Sequence, residues 1–254
     1  MIRQKIAERK LAKEEDKLEV TLVALSGPSS SGKSTLARLL RDILPHVIII
    51  HQDDFYLEDS QIPLVDGVQD WDCPEAFDFK QLSDVLGHVK KTGELPKDFK
   101  SKEDQNSLGP AALDSNAVEA FKQRMHPYMP DFENKLIVIL DGIMVYHDAQ
   151  FTELFDIKIL VRSTYEDLKA RREARAGYVT LEGFWKDPEG YFHNIVWPGY
   201  LKTHKQLFEN ENPNGEPSKD ATREGIRIVP TNDFDVAETL DWVFDVILDY
   251  YDLE

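Results

Sequence analysis

Residues Gly27-Pro28-Ser29-Ser30-Ser31-Gly32-Lys33-Ser34-Thr35 place two glycines, a lysine and a hydroxyl at the spacing G-x-x-x-x-G-K-[ST]. Glycine lets the backbone curl, so that successive N–H groups point inward at phosphate oxygens. A helix opening near Gly32 adds its positive end to the same cradle. Lys33 is then placed to reach the β- and γ-phosphates of a nucleoside triphosphate, and the Ser34 hydroxyl to ligate Mg²⁺. Ser29, Ser30, Ser31 and Thr35 complete the phosphate-binding loop.

Three further groups could turn phosphate binding into phosphoryl transfer. Asp53 and Asp54 follow an apolar run, where a carboxylate could accept the proton of an attacking hydroxyl; a loop-capping pair would look the same. Asp141 ends the run Leu136-Ile137-Val138-Ile139-Leu140, the place from which an acid holds Mg²⁺ directly or through water. Arg171, Arg172 and Arg175, with Lys169 beside them, form the main positive cluster of the second half. Such a lid could neutralise charge developing on the transferred group. Trp71-Asp72 offers a ring for stacking and a carboxylate for two ribose hydroxyls. It equally suits a loop anchor and a cap for a helix starting near Pro74, and the residue chemistry alone does not choose.

The elements that must carry these groups alternate. Val20–Ser26, Val47–Ile50, Leu136–Leu140, Ile157–Val161 and Ile226–Val229 read as short apolar strands. Helices are expected after the loop (Leu36, Leu39, Leu40, Ile43 and Leu44, stopped by Pro45), over Tyr165–Arg175, and from Val236 to Tyr251. The expected fold is therefore α/β, a parallel sheet of about five strands with helices on both faces. Ligands then collect at the carboxyl ends of strands, where Gly27, Asp53, Asp141 and Arg162 fall. The chain reads as one domain over residues 1–254, with a charged extension at 1–18, an insertion or flap at 87–134 and a lid region at 171–190. Within 87–134 only Ala117–Met125 is expected to be helical.

Composition narrows the partners. With 47 acidic against 30 basic residues the formal charge is −17, so nucleic acid and anionic membranes are disfavoured. The partners expected are small molecules. One cysteine, Cys73, excludes an internal disulfide and fits a reducing compartment. The first 17 residues hold six Lys/Arg but also four Asp/Glu, unlike a transit peptide. The expected location is cytoplasmic.

Taken together, the segments Leu22–Gly27, the serine-rich loop, His51–Tyr56, Trp71–Ala76, Asp141–Met144, Arg171–Arg175, Gly190–Phe192 and Val196–Pro198 closely resemble nicotinamide riboside kinases, most of all their fungal branch. The resemblance runs from about residue 20 to 205. It implies a uridine-kinase-like enzyme that uses ATP and Mg²⁺ to phosphorylate the ribose 5′-hydroxyl of nicotinamide riboside, yielding nicotinamide mononucleotide for NAD synthesis. On that pattern Asp53 is the base and also lies near Mg²⁺, with Ser34 and Asp141 as the other metal-side residues. Trp71 and Tyr178 sandwich the pyridine ring, and Tyr56 belongs to the same acceptor site. Asp72 and Arg172 hold the ribose, Arg171 and Arg175 face ATP, and Asp187 contacts the carboxamide. Two departures stand out: the family often has Glu at the place of Asp141, and the lid between Arg175 and Tyr178 is one residue longer than in animal members. A uridine or cytidine kinase shares most of these parts. A nucleotide-dependent switch shares the loop, although the Asn-Lys-x-Asp of a GTPase is absent, Asn134-Lys135 being followed by Leu136-Ile137.

Overall fold

The computed structural model describes residues 18–101, 113–175, 177–179 and 183–253, without the side chains of 178 and 179. The extension at 1–17 and parts of the expected insertion and lid lie outside these residues.

Along the chain, β1 (Glu19–Ser26) runs into the phosphate loop and α1 (Lys33–Ile43), and β2 (Val47–His51) into a 3₁₀ turn at Gln52–Phe55. A small hairpin, β3 (Leu64–Val65) and β4 (Val68–Gln69), precedes α2 (Phe79–Thr92) and α3 (Ser115–Met125). Then follow β5 (Lys135–Gly142), α4 (Ala149–Thr152), β6 (Ile157–Leu160), α5 (Tyr165–Glu173) and the lid ribbon β7 (Tyr178–Val179) with β8 (Phe184–Trp185). A π-helical turn at Phe192–Val196 leads into α6 (Trp197–His204), and α7 (Lys219–Arg223), β9 (Ile226–Ile228) and α8 (Val236–Tyr250) close the chain.

Five strands form one sheet in the order β2-β5-β1-β6-β9, and every pairing is parallel. The strands are apolar at consecutive positions because both faces are covered. Leu22 and Ala24 pack on one face with Leu82, Leu86 and Val89 of α2. Val23 and Leu25 pack on the other with Leu36 and Leu40 of α1 and Phe244 and Ile247 of α8. The alternation of neighbours between faces is the two-residue period of a strand. The expected α/β architecture is therefore the observed one.

The middle of the chain is more regular than expected. Residue 87 does not begin an irregular stretch: α2 runs unbroken from Phe79 to Thr92 and ends at Gly93, whose φ is 73°. Gly87 sits on its solvent side, and its cost of about 1 kcal/mol relative to alanine is outweighed by the buried stripe Leu82, Val85, Leu86 and Val89. Helix α3 and the turns after it pack Met125 and Phe132 into the layer of α1 and α8. Arg124 of α3 pairs there with Asp241 and Asp245 of α8. Among the described residues, no helix is long and apolar enough to cross a membrane.

Candidate active site

Four strand ends converge as the parallel topology requires. Gly27 follows β1, Asp53 follows β2, Asp141 is the penultimate residue of β5, and Arg162 lies just past β6. The loop fits tightly against the neighbouring strand: a Cβ on Gly27 would lie 2.3 Å from the Val161 carbonyl oxygen. Glycine at 27 is thus demanded by a close approach. Ser29, Ser30, Ser31 and Lys33 are all buried, and the Lys33 ammonium donates to the Pro28 carbonyl at 2.9 Å. The hydroxyl oxygens of Ser30 and Ser31 are buried without a hydrogen-bond partner among the described residues. Buried polar atoms of this kind are rare and call for a partner, and phosphate oxygens would supply one.

Charges of both signs surround Lys33. Burial lowers the pKa of Lys33, Asp141 and Asp53 oppose that shift, and Arg175 adds to it. Asp141 is buried and accepts from His51 Nδ1 at 2.9 Å. Burial alone would raise its pKa; the His51 bond, the Lys33 charge and a bond from Ser34 outweigh it, and the carboxyl is held below its ordinary value. Asp141 therefore stays ionised beside Ser34. Asp53 is exposed in the 3₁₀ turn. Ser34, Asp53 and Asp141 offer oxygen donors only, which suits a hard cation. Among the described residues no cluster of three or more His, Cys, Asp or Glu could cage a metal. Magnesium needs none, because it is usually bound by one or two carboxylates with phosphates and water.

Arg172 joins three segments of the chain. Its guanidinium is buried and donates to Ser29 Oγ at 2.7 Å, to both oxygens of Asp72 at 3.3 and 3.2 Å, and to both oxygens of Asp187 at 2.7 and 3.2 Å. One fork thus ties the phosphate loop to the Trp71-Asp72 segment and to the lid. Burial raises the pKa of Asp72, with Arg172 opposing. Asp72 is not a helix cap: the turn at Pro74–Ala76 has Cys73 at its cap position, and Asp78 caps α2. Asp187 also accepts from Trp185 Nε1 at 2.8 Å, so its carboxylate is engaged within the lid. Arg171 and Arg175 are exposed, Arg171 near the end of α5 and Arg175 beyond it.

Trp71 is buried. Tyr56 meets it edge-on at 5.3 Å and stacks on Phe77 at 4.2 Å. Burial raises the Tyr56 phenol well above its ordinary pKa, and the nearby Asp53 charge adds to the shift. Tyr178 is brought to the lid ribbon, its backbone paired with Trp185. Among the described side chains of the lid, Trp185 lies against Trp71 at 5.9 Å. A cleft of about 370 Å³ is lined by Arg172, Arg175, Lys186, Asp187 and Tyr191 among others.

Sequence reasoning missed four residues here: His51, Gln52, Trp185 and Tyr191. Gln52 Oε1 accepts from the backbone of Ile143 and Met144 at 2.8 and 3.0 Å, pinning the turn after Asp141 to the turn carrying Asp53. His51 and Gln52 stand directly before Asp53 at a strand end, which was the available signal. For Trp185 and Tyr191 no local pattern marks the role.

A parallel sheet with a phosphate loop, an ionised Asp at the tip of the neighbouring strand and a basic lid define a phosphotransferase of the P-loop kinase class. The phosphoribulokinase/uridine kinase family model matches residues 22–175. The nicotinamide riboside kinase of Schizosaccharomyces pombe is 37% identical over 227 residues, 89% of this chain and 96% of that protein. The enzyme of the same name from Saccharomyces cerevisiae is 37% identical over 234 residues, 91% and 96% of the two chains. Human nicotinamide riboside kinase 2 is 28% identical over 190 residues, 74% and 70%. The chain belongs to the nicotinamide riboside kinases within the phosphoribulokinase/uridine kinase family.

Proposed function

We propose that the protein transfers the γ-phosphoryl group of ATP to the 5′-hydroxyl of nicotinamide riboside, forming nicotinamide mononucleotide. The observation that carries this reading is the single guanidinium of Arg172, shared between the phosphate loop at Ser29 and the Trp71-Asp72 segment. It ties a flat ring and a carboxylate to the phosphate loop, which supports a ring-bearing riboside as acceptor. The 37% identity to two fungal nicotinamide riboside kinases over most of the chain supports the same acceptor.

In this reading Asp53 accepts the 5′-hydroxyl proton as the oxygen attacks the γ-phosphorus. Lys33 and the N–H groups of the loop hold the β- and γ-phosphates, and Ser29, Ser30, Ser31 and Thr35 contact them through their hydroxyls or backbone. Ser34, with Asp53 and Asp141, would hold Mg²⁺, which would supply neutralisation of phosphate charge. Arg171 and Arg175 face the nucleotide from the lid. Asp72 accepts from the ribose hydroxyls with Arg172 beside it. Trp71 and Tyr178 take the two faces of the pyridine ring, Tyr56 supports Trp71, and Asp187 is our candidate for the carboxamide. A cytoplasmic location accords with Cys73, a buried free thiol.

The test is a panel of nucleosides offered to the purified protein with ATP and Mg²⁺. Nicotinamide riboside should be turned over fastest; faster turnover of uridine or cytidine would overturn the proposal.

A further inference from the structure

Tyr191 is not used by the mechanism above, yet it makes four contacts around the proposed acceptor site. Its hydroxyl accepts from the Trp71 backbone N–H at 3.0 Å and donates to the Gln69 carbonyl at 2.9 Å. Its ring lies under the Arg172 guanidinium at 5.6 Å and against Trp185 at 5.7 Å. Burial raises the phenol far above its ordinary pKa, so the hydroxyl keeps its proton and can donate and accept at once.

A second contact meets the same segment from the same stretch of chain. Gly199 lies against the Asp72 backbone so closely that a Cβ there would sit 2.3 Å from the Asp72 carbonyl oxygen. Tyr191 and Gly199 are separated by the π-helical turn at Phe192–Val196. On an unbroken α-helix, residues eight apart differ by about 80° around the axis; one extra residue in a turn reduces this to about 20°. The π turn therefore brings the Tyr191 hydroxyl and the Gly199 backbone onto one face, where both meet residues 69–72.

We propose that Tyr191 is a positioning residue for the acceptor riboside, its hydroxyl setting the Gln69–Trp71 backbone against Gly199 so that Trp71 and Asp72 are aimed at the substrate. The inference rests on the riboside kinase reading and concerns how the acceptor half is held. Tyr191→Phe keeps the ring and its contact with Arg172 and removes both hydrogen bonds.

The experiment is steady-state kinetics of Tyr191→Phe with ATP, Mg²⁺ and nicotinamide riboside, alongside the 2′-deoxy analogue of that riboside. The KM for the riboside should rise about tenfold, with kcat and the KM for ATP within about twofold of wild type. The rise should shrink to about twofold with the 2′-deoxy analogue, because the misplaced Asp72 then has one hydroxyl fewer to lose. A merely structural role would move both KM values and would not distinguish the two acceptors. An unchanged riboside KM, an equal rise in both KM values, or the same rise with both acceptors overturns the proposal. Should Tyr191→Phe fail to fold, Gly199→Ala carries the test with the same expected split. A wild-type protein inactive on nicotinamide riboside would instead refute the functional reading, and the kinetics would then be run on the nucleoside it accepts.

Discussion

Arg172 and Asp72 face each other fork to fork, with guanidinium nitrogens 3.3 and 3.2 Å from the two carboxylate oxygens, across 100 residues of sequence. Both side chains are about 5% exposed or less, so neither charge has water to fall back on. Such a pair contributes little net stability over an apolar one, but breaking it is costly.

Arg172→Met should therefore destabilise the protein by about 3–5 kcal/mol, because Asp72 is left charged and buried. Urea unfolding measures this. Arg172→Met combined with Asp72→Leu should recover a large part of the loss while remaining inactive. A single variant as stable as the wild type would mean that Asp72 finds other partners.

Asp53→Asn should lower turnover by about 10²- to 10⁴-fold, the usual contribution of a general base, while ATP binding by calorimetry stays within a few-fold. Asp53 is exposed, so the fold should tolerate the change. Near-normal turnover would remove Asp53 as the base and leave it a metal-side residue.

His204 predicts an acid-sensitive core. It is fully buried between Tyr200 and Tyr146, and burial lowers its pKa to about 3, the Tyr200 carbonyl opposing in part. The unfolded chain binds this proton near pH 6.5, whereas the native state does so only near pH 3. Its contribution is complete above about pH 6.5 and is lost as the pH falls toward 3. Between pH 7 and pH 5 the stability should drop by about 2 kcal/mol from this group alone. Urea titrations of wild type and His204→Gln at the two pH values isolate it, and equal slopes in both would show that His204 does not titrate as described.

The elements that hold the phosphate end were readable before any tertiary contact was known. Apolar runs gave all five strands of the sheet, and Gly32, Lys33 and Ser34 fall at the start of α1, where the loop spacing puts them. Helix α2 was harder because Gly87 interrupts its pattern, although the buried stripe on either side overrides that residue. From local sequence, Asp72 reads equally as a helix cap or a ribose contact. Its partner, Arg172, lies on a distant helix, so no local pattern could decide the matter.

What the sequence by itself determined is the phosphate loop, since its donors are consecutive backbone N–H groups and their geometry depends on residues a few positions apart. The grouping of Asp72 with Arg172 was decided only by the tertiary structure. Asp72, Arg172, Asp187 and Tyr191 meet through side chains brought from the β4–α2 connection, α5, the lid and the turn before α6. Which carboxylate a guanidinium grips, and which backbone a phenol clamps, depends on how those elements pack. The same packing puts His51 on Asp141, two residues adjacent in space because β2 and β5 are neighbours in the sheet.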